Sequence, residues 1–309
     1  MTSPPLSAPS SVPRVAADAV LRGLLWMFLS ALAFASMIMC VRVSSAKFST
    51  FEMTFWRSLF GVLILLPFMA RGGFVRLRTR QLGYHTLRSV IQFTGVVLWF
   101  YSIGLINLSQ GQALQFTVPL FTVGLAAIFL GERVDLFRWI ATLSGFAGVL
   151  IILRPGFTEV SLVAILTVIS AACYGGANVV TKILQREDSS ETIVFYMCLM
   201  HTPAALIIAL ALGFTMPALG DWPALVGIAI AATLAHYFLA QGLGAAPAGV
   251  VMPFDFLKLP VVTVLAYVLF TEIPDLWAWI GAVVICGATY VVMRRETRLG
   301  RASAKAASA

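Results

Sequence analysis

The chain repeats itself about 140 residues apart, and the unit that repeats holds an odd number of apolar segments. Ser30, Ala31 and Phe34 return as Ser170, Ala171 and Tyr174. Glu132, Asp135, Leu136, Trp139, Ile140 and Arg154 return as Glu272, Asp275, Leu276, Trp279, Ile280 and Arg294. Trp99-Phe100, Gly104-Leu105 and Gly111 return as Tyr237-Phe238, Gly242-Leu243 and Gly249, two residues out of phase, which reads as a small insertion. Each copy contains five apolar stretches. After five crossings the second copy must enter a bilayer from the face opposite to the first. An inverted-topology repeat with a site at its interface is the architecture of a secondary transporter.

That a bilayer is the solvent follows from composition. Over 309 residues the chain is 60% hydrophobic and 11% charged, with a mean hydropathy of +0.94. No soluble domain of this size carries so little charge. A hydrocarbon core of about 30 Å takes roughly 20 apolar residues per helix. Ten such segments fall near 20–41, 51–70, 84–105, 108–130, 136–153, 160–181, 192–212, 222–241, 247–270 and 276–293. The ten-residue alternation of a barrel is absent, so the fold class is all-α: ten transmembrane helices as two inverted five-helix repeats around a central cavity. The expected units are a disordered tail at 1–19, a first repeat at 20–153, a second at 160–293 and a basic tail at 294–309. A Pro/Ser-rich start and a long first apolar run argue against a cleavable signal peptide.

Orientation follows from Lys and Arg. With the N-terminus in the cytoplasm, the basic residues other than Lys258 divide 16 to 4 in favour of the cytoplasmic side, Arg57 being counted outside and Arg88 inside. Both termini are therefore expected in the cytoplasm of a bacterial inner (plasma) membrane. The net charge of +8 reflects this topology and not nucleic-acid binding. The tail after Met293 reads as a stop signal or as a contact for anionic lipid heads. Cys40, Cys173, Cys198 and Cys286 lie in apolar segments without metal-ligand spacing and read as packing.

Lys258 is the residue most out of place. A lysine in mid-helix costs about 2.5–3.5 kcal/mol on insertion scales, so it must face a wet cavity or a partner. Asp255, three residues earlier on the same face, can be that partner. Pro253 and Pro260 bracket the pair and weaken the local helix. The two charges either lock packing as a buried bridge or meet a substrate. Further polar and aromatic candidates are Gln115, Trp99 and Tyr101 in the first copy and Tyr174, Asn178, His236, Tyr237 and Gln241 in the second. Each either glues helices or lines a small-metabolite pocket. Pro119, Gly175, Pro253 and Pro260 are candidate hinges. His201 beside Pro203 reads as a satisfied histidine at a kink, and Glu132 and Glu272 as anchors at segment ends. No residues form a phosphate loop, a metal cluster or a catalytic triad.

Two five-helix copies, each with a proline in its fourth helix and a Leu-Gly-Glu-like end (Pro119 to Leu130-Gly131-Glu132; Pro260 to Phe270-Thr271-Glu272), resemble the EamA type of the drug/metabolite transporter superfamily. The resemblance spans about residues 20–294, with Thr271 in the place of a glycine. Within it the chain is most similar to bacterial exporters of amino acids, including the YddG-type aromatic amino-acid exporters. The resemblance implies a cavity lined by helices one, three, four, six, eight and nine, alternating access, no cofactor, and a small-molecule substrate.

The resulting expectation is a membrane exporter of small zwitterionic metabolites, amino acids foremost. Lys258 would meet the carboxylate, Trp99, Tyr101 and Tyr237 the side chain, and Gln115, Asn178 and Gln241 would add hydrogen bonds. An anionic or nucleotide-like metabolite is the alternative within transport. An intramembrane enzyme and a regulatory descendant of a transporter are the rivals outside it. Facilitated diffusion, exchange and proton coupling stay open, as do direction and oligomeric state.

Overall fold

In a computed structural model, residues 17–71, 79–103, 105, 112, 114–153, 162–271, 273–274 and 276–307 are described. Their helices are α1 (Ala17–Ser44), α2 (Thr50–Arg71), α3 (Leu82–Ile103), α4 (Val118–Leu130), α5 (Leu136–Leu153), α6 (Leu162–Leu184), α7 (Ser190–Leu212), α8 (Trp222–Ala245), α9 (Ala248–Val251), α10 (Lys258–Phe270) and α11 (Leu276–Ala307). Short 3-10 turns occupy Leu219–Asp221 and Met252–Leu257. No strand occurs among the described residues.

Eight stretches among the described residues are long and apolar enough to cross a membrane, one of them being α9, its 3-10 turn and α10 taken together. α4 is a shorter apolar helix. α3 spans 22 residues but carries His85, Arg88 and Gln92, whose polarity is hidden against neighbouring helices. These elements account for the ten segments read from the sequence. Two boundaries differ. The ninth segment is broken at its middle, and α11 continues through Ala307, so most of the expected basic tail is helix. The N-terminal tail, the start of the fourth segment, Arg154, Glu272 and Asp275 lie outside the described residues.

The chain turns its apolar side chains outward and hides its polar ones. Ile128 and Phe129 are 74% and 71% exposed, whereas Ser30, Ser102, Thr142 and Ser170 are wholly buried. Lipid is the solvent that makes this distribution stable.

The two copies pack as a self-complementary pair. α1 packs on α8 and, reciprocally, α6 packs on α3. α4 packs on α6, and α10 on α1. α2 meets α7, and α5 meets α11, each its own counterpart. Contacts that map onto themselves when the copies are exchanged define a pseudo-two-fold axis. Individual bonds obey it. The Ser30 hydroxyl donates to the Ala235 carbonyl at 3.0 Å, and the Ser170 hydroxyl donates to the Gly95 carbonyl at 2.7 Å. Both partners are displaced by the same 140 residues. Because α3 and α8 are unbroken across these positions, the counterpart of Trp99 is Leu239, not Tyr237. The two-residue phase difference read from the aromatic pairs therefore does not exist within these helices.

Close approach is bought by small residues. In the α5–α11 pair a β-carbon on Gly148 would lie 3.0 Å from the Gly281 carbonyl, and one on Gly281 would lie 2.6 Å from the Gly148 carbonyl. Next to this seam Arg138 donates to both carboxylate oxygens of Glu296, at 3.0 and 3.1 Å, and Arg295 donates to Asp135 at 2.7 Å. These pairs explain why α11 extends beyond the apolar segment.

α4 and α10 begin at repeat-related positions, Val118 and Lys258, and end alike. Each is capped by a residue in the left-handed region, Gly131 at φ 65° and Thr271 at φ 56°. A β-branched residue there carries about 1–2 kcal/mol of strain. Thr271→Gly is expected to raise the apparent melting temperature in detergent by a few degrees, part of the gain being offset by the greater freedom of unfolded glycine. Gly131→Thr should lower it. Differential scanning fluorimetry on both variants checks the pair.

Candidate functional site

The break in the ninth segment shapes the site. Pro253 falls in the first turn of the 3-10 stretch Met252–Leu257, where its missing N–H ends the α-helical ladder begun by α9. Pro260 follows in the first turn of α10, where a proline is tolerated. Interrupted helices of this kind place backbone and charge at mid-membrane in transporters. Here the break delivers Asp255 and Lys258 to a cavity of about 440 Å³.

The cavity lies on the pseudo-two-fold axis. Its lining contains seven pairs of residues 140 apart: Phe34 and Tyr174, Met37 and Ala177, Ile38 and Asn178, Val96 and His236, Trp99 and Leu239, Gln115 and Asp255, Val118 and Lys258. Beyond these pairs it reaches the α1–α2 connection, past Val41, Thr50, Met53 and Thr54, and also takes in Arg57, Gln92, Gln112, Phe116, Pro119 and Ile228. The opposite face is tied shut. Lys182, at the end of α6, pairs with Glu132, just past α4, at 2.5 Å and donates to the Ala246 carbonyl at 2.8 Å. Glu132 in turn accepts from the Ala248 N–H at 2.8 Å. One carboxylate and one ammonium thus hold four helix ends together. Glu132 is an anchor, as its place at a segment end suggests, and its partner is a lysine.

Eight of the fourteen residues singled out from sequence line this cavity: Lys258, Asp255, Trp99, Gln115, Tyr174, Asn178, His236 and Pro119. Lys258 and Asp255 are already paired, at 2.6 Å, and the ammonium also sits 4.1 Å above the Phe34 ring. His236 is buried, meets Phe34 edge-on at 5.2 Å, and has no partner on Nδ1. Asn178 donates to Thr122 at 3.1 Å, while the Gln115 carbonyl oxygen has no partner.

The other six lie elsewhere. Tyr101 is 60% exposed on the lipid side of α3. Tyr237 accepts a hydrogen bond from Gln241 at 2.8 Å and packs with Trp26, Phe238 and the α2–α7 core. Gln241 is spent on that bond. Gly175 is where α6 touches the α4 backbone: a β-carbon would lie 2.7 Å from Phe121 Cβ and 3.0 Å from the Thr122 nitrogen. Pro253 and Pro260 shape the helix break without lining the cavity. His201 is buried with Nε2 3.2 Å from the Ser89 carbonyl, joining α7 to α3.

Two residues counted as loop charges prove to be inside helices. Arg88 is buried on α3, donates from Nε to Thr181 at 2.6 Å, and leaves Nη1 without a partner. Arg57, on α2, lines the cavity, as does Gln92 on α3. Position in the sequence holds the signal that would have found them. Arg57 lies seven residues into α2 and Arg88 six into α3, each about 10 Å from the helix start. Among the described residues no group of His, Cys, Asp and Glu could hold a metal ion.

Comparison with known proteins agrees with this architecture. The EamA-like transporter family matches residues 21–154 and again 161–294. A riboflavin transporter of Rhizobium johnstonii is 34% identical over 281 residues, covering 90% of this chain and 93% of the relative. An S-adenosylmethionine uptake transporter of Rickettsia bellii is 27% identical over 276 residues, covering 89% and 94%. A solved crystal structure superposes with a TM-score of 0.77 at 18% identity, covering 92% of this chain and 99% of the other, and shows the shared fold.

The Lys182–Glu132 tie yields a direct test. In a background without the native cysteines, Val250→Cys places a thiol at a wholly buried position two residues past Ala248, whose N–H Glu132 holds. Adding Glu132→Ala leaves the Lys182 ammonium unpaired and is expected to raise the rate of labelling by a polar maleimide several-fold. An unchanged rate would show that other contacts close that face.

Proposed function

From its membership of the EamA-like transporter family, to which the chain belongs, we propose that this membrane transporter carries a flat heteroaromatic metabolite of the riboflavin kind by alternating access. The observation that carries this reading is the cavity. At about 440 Å³ it lies within the range of about 300–1,000 Å³ that holds drug-sized ligands. A free amino acid would occupy a fraction of it. Phe34, Trp99, Phe116 and Tyr174 supply aromatic rings, and Gln92, Gln112, Gln115 and Asn178 supply amides. Rings bind a planar solute by stacking, and amides match the carbonyls, ring nitrogens and hydroxyls of a flavin with its polyol chain. The relatives named for riboflavin and S-adenosylmethionine support the same class, since both solutes join a flat heterocycle to a ribose-derived chain.

The amino-acid expectation had Lys258 meet the substrate carboxylate, with Asp255 either balancing Lys258 or meeting the substrate ammonium. Lys258 is engaged by Asp255, the partner the three-residue spacing pointed to, and a zwitterion would have to divide this pair to use it. Among the described cavity residues the only carboxylate, Asp255, is likewise engaged. We therefore read the carrier as passive or exchanging, with net direction set by the solute gradient. It sits in the bacterial inner membrane, with both termini cytoplasmic as the basic loops favour.

Flux into proteoliposomes tests the substrate class. Radiolabelled riboflavin is expected to show saturable uptake that excess unlabelled flavin abolishes, while amino acids show none. Trp99→Ala should raise the half-saturating riboflavin concentration by about ten-fold, the loss of one stacked ring. Saturable amino-acid flux that disappears in Lys258→Ala would favour the zwitterion reading instead.

A further inference from the structure

Among the described residues, Arg57 is the cavity cation whose donors meet no hydrogen-bond or ion-pair partner. The repeat does not require it: its counterpart at the same spacing is Met197, which is buried in the α2–α7 core. A position where the pseudo-symmetry is broken by a charge is not explained by packing. Nor is it explained by local pairing. Lys258 has Asp255 at 2.6 Å, Lys182 has Glu132, and Arg138 has Glu296. Arg88 donates to Thr181, and its idle Nη1 is walled off from any space. Arg57 makes no hydrogen bond or ion pair among the described residues, and its nitrogens are not among the fully buried unpartnered atoms. Its guanidinium is therefore wetted only by the cavity, about 10 Å from the start of α2.

An unpaired arginine at that depth is costly, and intramembrane charges of this kind mark substrate pathways. The guanidinium is a planar fork of donors that prefers two acceptors side by side on a planar group. Lysine has no such preference. Resting on the reading of the cavity as a flavin-type site, we propose that Arg57 is a specificity-determining residue. It recognises an edge of the heterocycle on which two acceptor atoms lie next to each other. An isoalloxazine ring has two such edges, N1 with the C2 carbonyl and N5 with the C4 carbonyl. Arg57 donates one N–H to the ring nitrogen and one to the carbonyl of a single edge, while the cavity's aromatic rings take the ring faces. Asp255 keeps Lys258 from competing for that edge.

The test compares riboflavin with 1-deazariboflavin and 5-deazariboflavin, each of which replaces one ring acceptor by a C–H of the same shape. Half-saturating concentrations are measured for flux in proteoliposomes with the wild-type protein, Arg57→Met and Arg57→Lys. Each protein is checked for a monodisperse profile and an unchanged apparent melting temperature. The wild type is expected to disfavour one of the two analogues by about ten-fold or more, the value of a hydrogen bond to a charged donor. Arg57→Met, which installs the residue of the repeat counterpart, should bind riboflavin more weakly and no longer distinguish it from that analogue. Arg57→Lys keeps the charge without the fork and should recover part of the affinity but little of the discrimination. Discrimination that survives in a folded Arg57→Met or Arg57→Lys protein would overturn the assignment. So would a wild type that carries all three flavins equally well. A wild type that carries no flavin would instead sink the flavin reading of the cavity, and the edge assignment with it.

Discussion

Everything in this molecule descends from the odd number of crossings in a duplicated unit. Two copies that face opposite ways can associate closely only about an axis in the membrane plane, so each contact between them is made twice. The bonds from Ser30 to Ala235 and from Ser170 to Gly95 are one interaction written twice. In lipid, where apolar burial between helices gains little, such hydroxyl–carbonyl bonds and the close approach at Gly148 and Gly281 carry much of the association. The cavity forms where the copies cannot fill the axis. A residue on the axis would have to meet its own counterpart, and pairs such as Phe34 with Tyr174 and Val96 with His236 stand back from it.

Symmetry of the fold then separates structure from function. Positions that hold the copies together keep similar residues in both. Positions that face the cavity diverge: Gln115 against Asp255, Val118 against Lys258, Trp99 against Leu239. A flavin-type solute, as proposed for this cavity, has no two-fold symmetry of its own, so a surface that binds it must lose the symmetry that the scaffold keeps. By this criterion the ends of α4 and α10 belong to the scaffold. Both adopt a left-handed cap, even where the second copy has only Thr271 to do it.

Much of this was legible in the sequence because it is written as periodicity and cost. Apolar length identified the spanning segments, and the 140-residue spacing identified the repeat. The price of a mid-helix charge pointed to Lys258, and three-residue spacing pointed to its partner. What the sequence could not show is which way a side chain turns about its helix. Tyr101 and Trp99 are two residues apart, about 200° around a helix; one faces lipid and the other the cavity. Tyr237 and His236 are neighbours, yet the tyrosine packs toward α2 and α7 while the histidine lines the cavity. Arg57 and Arg88 were hidden for a different reason. Each lies near the start of its apolar segment, 51–70 or 84–105, and in the sequence counts with the charges flanking the bilayer; the structure puts both within α2 and α3, about two turns in.

The division of labour between two cations completes the picture. A charge taken into a bilayer needs compensation, and the source of that compensation determines what the charge can do. Lys258 is compensated by the protein, through Asp255 and the face of Phe34. It can be moved without a substrate, so a change in the packing of α10 against α1 leaves no bare charge behind. Arg57 is compensated by whatever fills the cavity, water or solute. In the proposed role its contact with solute would be exchangeable with solvent, a contact weak enough to permit release. The fold thus supplies the two cations differently: Lys258 has a neutralising partner within its own broken segment, and Arg57 has the open cavity.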